Sequence, residues 1–216
     1  MRFVLFFVFF FFFFNWTFFF QESGYCQTKY VAEQLCVRAS SIIPLTIVRP
    51  ALIGWARAPP SIPNASDWLT SLMFSSLKVN AVPKSKQRFT VLPVDECAAG
   101  IVKPLELDPK EKVIHLAHTQ SFRYKQLFEA LRRASNLSLP ALPFSDWISK
   151  LRAASNGPNA PKSLSAALLI LGSMTDLPVD RVHSVVAAEN LGIARSASLG
   201  DSYLDAAALY VLKEAK

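Results

Sequence analysis

Residues 3–14 read "FVLFFVFFFFFF", an apolar run with no period, broken first at Asn15. Past residue 22 the pattern becomes that of a folded domain. "SGYCQTKYVAEQLCVRASS" places Tyr25, Val31, Ala32, Leu35 and Cys36 at roughly helical spacing. "PLTIVRP" is a short β-branched run closed by Pro50, which predicts a buried strand. A helix followed by a buried strand is half of a βαβ unit. The Pro-rich "APPSIPNAS" predicts a loop, with Asn64 or Ser66 capping a helix from Asp67 to about Lys78.

The remaining text alternates strand and helix signals. "RFTVLPVDECAAGIVKPLEL" reads as strand, Pro-Val-Asp turn and helix, and "EKVIHLAH" as a strand. "SFRYKQLFEALRRAS" predicts an amphipathic helix with Phe122, Leu127, Phe128 and Leu131 on one side. "SDWISKLRAAS" predicts another, capped by Ser145, and "SNGPNAPKS" a linker. Three modest helical stretches follow from Leu164. Strands are few, so the sheet is incomplete or small.

Composition changes this picture in one place. Twelve of the 17 Phe lie in residues 1–20, and the rest of the 216-residue chain has ordinary globular composition. Three readings fit the Phe segment: an uncleaved membrane anchor, a signal peptide without a small-residue cleavage site, or a low-complexity tract from a gene-model artefact. The third is favoured, because a selected anchor usually mixes Leu, Ile, Val and Ala; residues 1–20 are expected to make few specific contacts, because homopolymeric composition specifies no single arrangement.

Charge and thiols exclude more than they assign. The net charge of +7 is scattered, densest at Lys84, Lys86 and Arg88, and no recognition motif accompanies it, so nucleic acid is not a partner. The three Cys (26, 36, 97) form no CxxC and suit free thiols in a reducing compartment. His115, His118 and His183 form no HExxH, and no metal site is expected. Ser75 to Lys78 is formally S-x-x-K, but the S-D-N, K-T-G and GxSxG companions of serine hydrolases are missing.

Tyr25 and Lys29 carry the candidate chemistry. Their Y-x-x-x-K spacing is one helical turn, which brings both heads toward one cleft. An ammonium beside a phenol favours phenolate and makes the phenol a better proton donor. The bland alternative is a plain amphipathic helix. Against it stands Arg49-Pro50, closing the strand that follows, at the strand end where parallel α/β sheets place ligands.

"GYCQTKYVAEQL…PLTIVRPALIG" resembles the extended short-chain dehydrogenase/reductases. The order "NASDWLTSLMFSSLKVNAVP", "VLPVDECAAGIV", "KVIHLAH", "LFEALRR", "SDWISKLR" narrows the resemblance, over about residues 23–170, to the thioester reductase domains of fungal nonribosomal peptide synthetases, polyketide synthases and carboxylate or aminoadipate reductases. The resemblance implies an α/β fold: the C-terminal half of an NAD(P)-binding Rossmann-like domain at residues 21–60, then a mainly helical substrate-binding region at 61–216. It implies a cytoplasmic enzyme that uses NADPH to release an acyl thioester, held on the phosphopantetheine of a carrier protein, as aldehyde or alcohol. Tyr25 would be the proton donor and Lys29 would also hold the cofactor ribose. Pro50, Ala51, Leu52 and Ile53 would lie beside the nicotinamide, and Asp67–Trp68 and Pro93–Asp95 on the substrate side. The sequence departs from this family at its start. None of its seven Gly precedes Gly24, so the Gly-rich pyrophosphate loop has no counterpart, and Thr17 is the lone hydroxyl before Ser23. The expectation is a reductase fragment inactive as written; a non-catalytic remnant, or a module held to a membrane through residues 3–20, is the alternative.

Overall fold

A computed structural model describes residues 3–6, 24–57, 67–106, 113–118, 120–157, 160, 162–171, 177 and 199–214. The chain divides into two compact units, with residues 90–121 grouped with the N-terminal part.

The first unit is built on parallel strands. Strand β1 (Phe3–Phe6) pairs with β2 (Leu45–Pro50), and β2 pairs with β6 (Val113–Leu116), giving the order β1-β2-β6. Phe3 stands opposite Leu45, and Arg49 opposite His115. Part of the Phe segment is therefore a sheet strand, which overturns the expectation that residues 1–20 make no specific arrangement. A parallel strand can read as a continuous apolar run with no period, and Phe3–Phe6 is such a run. Residues 7–20, with Thr17, lie outside the described residues.

Two helices cover opposite faces of this sheet. Helix α1 (Gly24–Ala39) follows β1 and precedes β2, completing the expected βαβ unit. On its face, Cys36 packs with Leu45 and Ile47, joined by Ala32, Ile43 and Val113. Helix α3 (Val94–Glu106) covers the other face, where Cys97 packs with Val48, Leu92 and Leu116, joined by Ile53 and Ile101. Odd-numbered positions of β2 thus face α1 and even-numbered ones face α3, as the strand period of two requires. Gly100 permits the close approach of α3, since a Cβ there would lie 2.5 Å from Leu116 Cδ2.

The apolar spacing within α1 was right for Ala32 and Cys36 and wrong for Val31 and Leu35. Val31 and Leu35 are 56% and 60% exposed, while Cys36 and Glu33 are buried and Ala32 and Lys29 half-buried. A carboxylate occupies a position that spacing alone gives to an apolar residue.

Beyond Pro50 the sheet splits. The Ala51 N–H still donates to the Leu116 carbonyl (2.8 Å), but β3 (Leu52–Gly54) turns to a new partner, the Val91–Pro93 part of β5 (Arg88–Pro93). No turn separates β5 from α3, which starts at Val94 where a Pro-Val-Asp turn was expected.

The second unit is mainly helical. Helix α2 (Trp68–Lys78) is capped by Asp67, whose carboxylate accepts from the Leu69 N–H (3.2 Å); the expected caps Asn64 and Ser66 lie outside the described residues. β4 (Val82–Pro83) pairs in parallel with β8 (Ala141–Leu142). A short strand, β7 (Ser121–Arg123), leads into α4 (Tyr124–Ser135), so Phe122 precedes the helix it was expected to join. Phe122 and Tyr124 still stack around Phe89, with centroids 5.9 and 4.7 Å away. Helix α5 (Phe144–Ser155) begins on Pro143, whose carbonyl accepts from Asp146 and Trp147; Ser145 lies inside the first turn and does not cap it. The buried Trp147 indole donates to the Ala81 carbonyl (3.0 Å). Helices α6 (Lys162–Leu171) and α7 (Asp201–Glu214) complete the unit, α7 lying along α4 with Arg133 paired to Asp205.

Candidate active site

The site residues read from sequence gather on α1 and at the carboxyl end of β2. Tyr25 and Lys29 sit one turn apart near the start of α1. The Tyr25 side chain lies outside the described residues, and that of Lys29 is half-buried. The Y-x-x-x-K face was expected to be exposed; Lys29 is half-buried, one turn before the buried Glu33.

Glu33 was not singled out in the sequence, although Tyr25, Lys29 and Glu33 follow the same four-residue step. It anchors Arg49 of β2. Arg49 Nε donates to Glu33 Oε2 (3.0 Å) and Nη2 pairs with Oε1. Arg49 Nη1 stands 3.4 Å from His115 Nε2. A guanidinium only donates, so Nε2 accepts there and the ring proton sits on Nδ1. One side chain therefore ties α1 to both β2 and β6. The Glu33 carboxylate, after burial itself, also pushes the Cys36 thiol above its usual range.

Pro50 and Ala51 are buried, and Leu52 and Ile53 half-buried, along the stretch where the backbone leaves β6 for β5. Such a divergence at the carboxyl ends of parallel strands opens the crevice in which α/β sheets hold ligands. The turn beyond it is fixed by Arg57, whose N–H donates to Asp95 Oδ2 (3.0 Å) and whose Nε donates to Glu96 Oε1 (2.8 Å). Asp95 thereby secures a loop.

His118 is buried, and its Nδ1 accepts from the Gln120 N–H (3.0 Å), leaving the proton on Nε2. Burial lowers its pKa; Glu96 works against that shift and Arg57 with it. Burial pushes the Cys97 thiol up to about 11, so it stays protonated and inert at neutral pH. Among the described residues, no group of three or more His, Cys, Asp or Glu is placed to hold a metal ion. Asp67 belongs to the second unit, where burial raises its carboxyl to about 6 against the lowering effect of hydrogen bonds from the α2 backbone.

Parallel strands, helices on both faces and a sheet that splits at a strand end define a Rossmann-like fold. Comparison with known proteins gives that fold its relatives. Residues 17–101 match the NAD-binding family model described as male sterility protein. Over 133 residues the chain is 29% identical to an adenylate-forming reductase, Nps10, of Heterobasidion annosum, a match spanning 60% of this chain and 12% of that protein. It is 29% identical over 136 residues to the non-reducing polyketide synthase pkiA of Emericella nidulans, covering 60% of this chain and 5% of that one. Among solved structures, the terminal R domain of the myxalamid PKS-NRPS pathway superposes with a TM-score of 0.75 at 24% identity, covering 89% of this chain and 50% of that domain. The reductase domain of a nonribosomal peptide synthetase from Mycobacterium tuberculosis gives 0.65 at 16%, covering 88% and 50%. The chain is thus similar to reductase domains of nonribosomal peptide and polyketide synthesis and has their fold. It spans a small fraction of the curated relatives and about half of the solved domains.

The NAD-binding model matched over residues 17–101 supports a nicotinamide cofactor. Lys29 is a half-buried cation, and the Pro50–Ile53 strip is buried at Pro50 and Ala51 and half-buried at Leu52 and Ile53. No glycine precedes Gly24 in the sequence, and a Cβ on Gly24 itself would meet nothing within 4 Å.

Proposed function

We propose that this chain is the proton-donating portion of an NADPH-dependent thioester reductase acting on an acyl group carried on a phosphopantetheine arm. The observation that carries this reading is the Y-x-x-x-K helix packed on a buried parallel strand whose end diverges at Ala51. In this reading the Lys29 ammonium stabilises the Tyr25 phenolate, so the phenol yields its proton to the oxygen of a carbonyl undergoing reduction. The hydride is the nicotinamide's contribution. The Pro50–Ile53 edge lines the cofactor side, while Pro93–Asp95 contribute to the substrate side.

Without a glycine-rich cradle, the chain as written does not turn over. Among the described residues no helix is long and apolar enough to cross a membrane; residues 7–20 lie outside them. The reading is tested by titrating isotope-labelled chain with holo acyl carrier protein and, separately, with NADPH. Chemical-shift changes on adding the carrier are expected. A chain unmoved by either would be the non-catalytic remnant.

A further inference from the structure

The Glu33–Arg49 pair is an unusual construction for an α/β core. The carboxylate faces the sheet from a position that packing would give to an aliphatic side chain. Its residue is 8% exposed, and the Arg49 and Glu33 side chains are 19% and 10% exposed. Replacing such a pair with apolar residues of similar volume is often neutral or stabilising, so its presence calls for a role other than stability. The geometry suggests one. A planar guanidinium grips a carboxylate at two points and so fixes orientation as well as distance. Arg49 adds a contact to His115, its register partner on β6. The bridge therefore sets how far α1 slides along β2 and how it rotates over β6. Glu33 lies one turn from Lys29 and two from Tyr25 on the same helix. A slide or roll of α1 would shift Tyr25 and Lys29 with it relative to β2, whose Pro50 directly follows Arg49.

We infer that Glu33 and Arg49 are positioning residues for the Tyr25–Lys29 pair, holding α1 in the register on β2 and β6 at which the Lys29 ammonium acts on the Tyr25 phenol. This inference rests on the proposed role of that pair. Its test is arranged so that the two fail separately. The readout is the titration of the Tyr25 phenol in the full chain carrying ¹³C-labelled tyrosine, assigned by its disappearance in Tyr25→Phe. Lys29→Met should raise the phenol pKa by about 1 unit or more, the scale of a lost neighbouring opposite charge. If it moves nothing, the proton-transfer reading itself fails.

Glu33→Asp and Arg49→Lys keep every charge and alter only reach and fork geometry. Each should move the phenol pKa upward, by a fraction of the Lys29→Met shift. Their effect cannot come from a changed net field, and a bridge that merely stabilised the fold would lower the melting temperature and leave the phenol where it was. The inference is overturned if Lys29→Met shifts the phenol and neither conservative variant does. It is equally overturned if both conservative variants fail to fold, which would assign the bridge to folding alone. If only one folds, that one decides.

Discussion

Glu33 and Arg49, sixteen residues apart, meet through paired hydrogen bonds that join the helix after β1 to the strand that follows it. Removing one partner strands the other away from water. Glu33→Ala is expected to cost about 3 kcal/mol, the low end of the range for breaking a buried pair, because the guanidinium is left uncompensated. The double replacement Glu33→Leu with Arg49→Met should fall within about 1 kcal/mol of the unaltered chain. Urea unfolding of Glu33→Leu, Arg49→Met and the double variant measures the coupling. Additive losses would show that the pair does not act as a unit.

This pair also marks the limit of what the sequence disclosed. The β-branched run "PLTIVRP" was legible as a buried strand because period and composition agree there. α4 was legible because Leu127, Phe128 and Leu131 are apolar at helical spacing and buried in fact. α1 was legible in part: Ala32 and Cys36 meet the core as their spacing indicated, but that face also carries Glu33, and the outer face carries Val31 and Leu35. Spacing reports hydrophobicity, whereas here a salt bridge decides which side is inside. Phe3–Phe6 hid for the converse reason. A run that is apolar at every position has no period, so a strand, a membrane segment and a low-complexity tract look alike. The β-strand β3 was masked by its brevity, and the change of partner at Ala51 is a tertiary fact with no local signature.

Gly100 should tolerate no side chain. A methyl there would sit 2.5 and 2.7 Å from the two Cδ atoms of Leu116, whose side chain is buried. Overpacking of this kind costs about 1–3 kcal/mol. Alanine recovers up to about 1 kcal/mol of helix propensity over glycine. The net expectation for Gly100→Ala is a loss of about 1 kcal/mol, read as a lowered urea midpoint with an unchanged slope. Pairing it with Leu116→Val, which opens space, should recover part of that loss. A stabilised Gly100→Ala would show that α3 has room to move off the sheet.

Asp67 couples stability to pH. Burial raises its carboxyl from 3.8 to about 6, outweighing the hydrogen bonds it accepts as the cap of α2. A folded pKa above the unfolded one favours the protonated folded state. The contribution is therefore fully present below pH 4 and is lost as pH rises through 6. The shift corresponds to roughly 2–3 kcal/mol across that window. Asn also caps well and carries no charge. Asp67→Asn should therefore be about as stable as the parent near pH 4 and more stable at pH 7.5. Parallel urea titrations at the two pH values check the sign; identical pH dependence in both proteins would remove Asp67 as the source.

The chain made as written should reduce no carrier-bound thioester with NADPH. Tyr25 and Lys29 supply proton transfer, and a positioned acid typically contributes ~10²–10⁴-fold. That contribution presupposes a bound cofactor. Dinucleotides are held at their pyrophosphate by backbone N–H groups of a glycine-rich turn and by the positive end of the helix that follows. α1 is the Y-x-x-x-K helix and not that helix, and none of the seven glycines precedes Gly24. Fluorescence titration with NADPH should show no saturation below the millimolar range, and no aldehyde should form from an acyl carrier substrate. Submillimolar binding, with turnover abolished by Tyr25→Phe, would establish that a different cradle serves this chain.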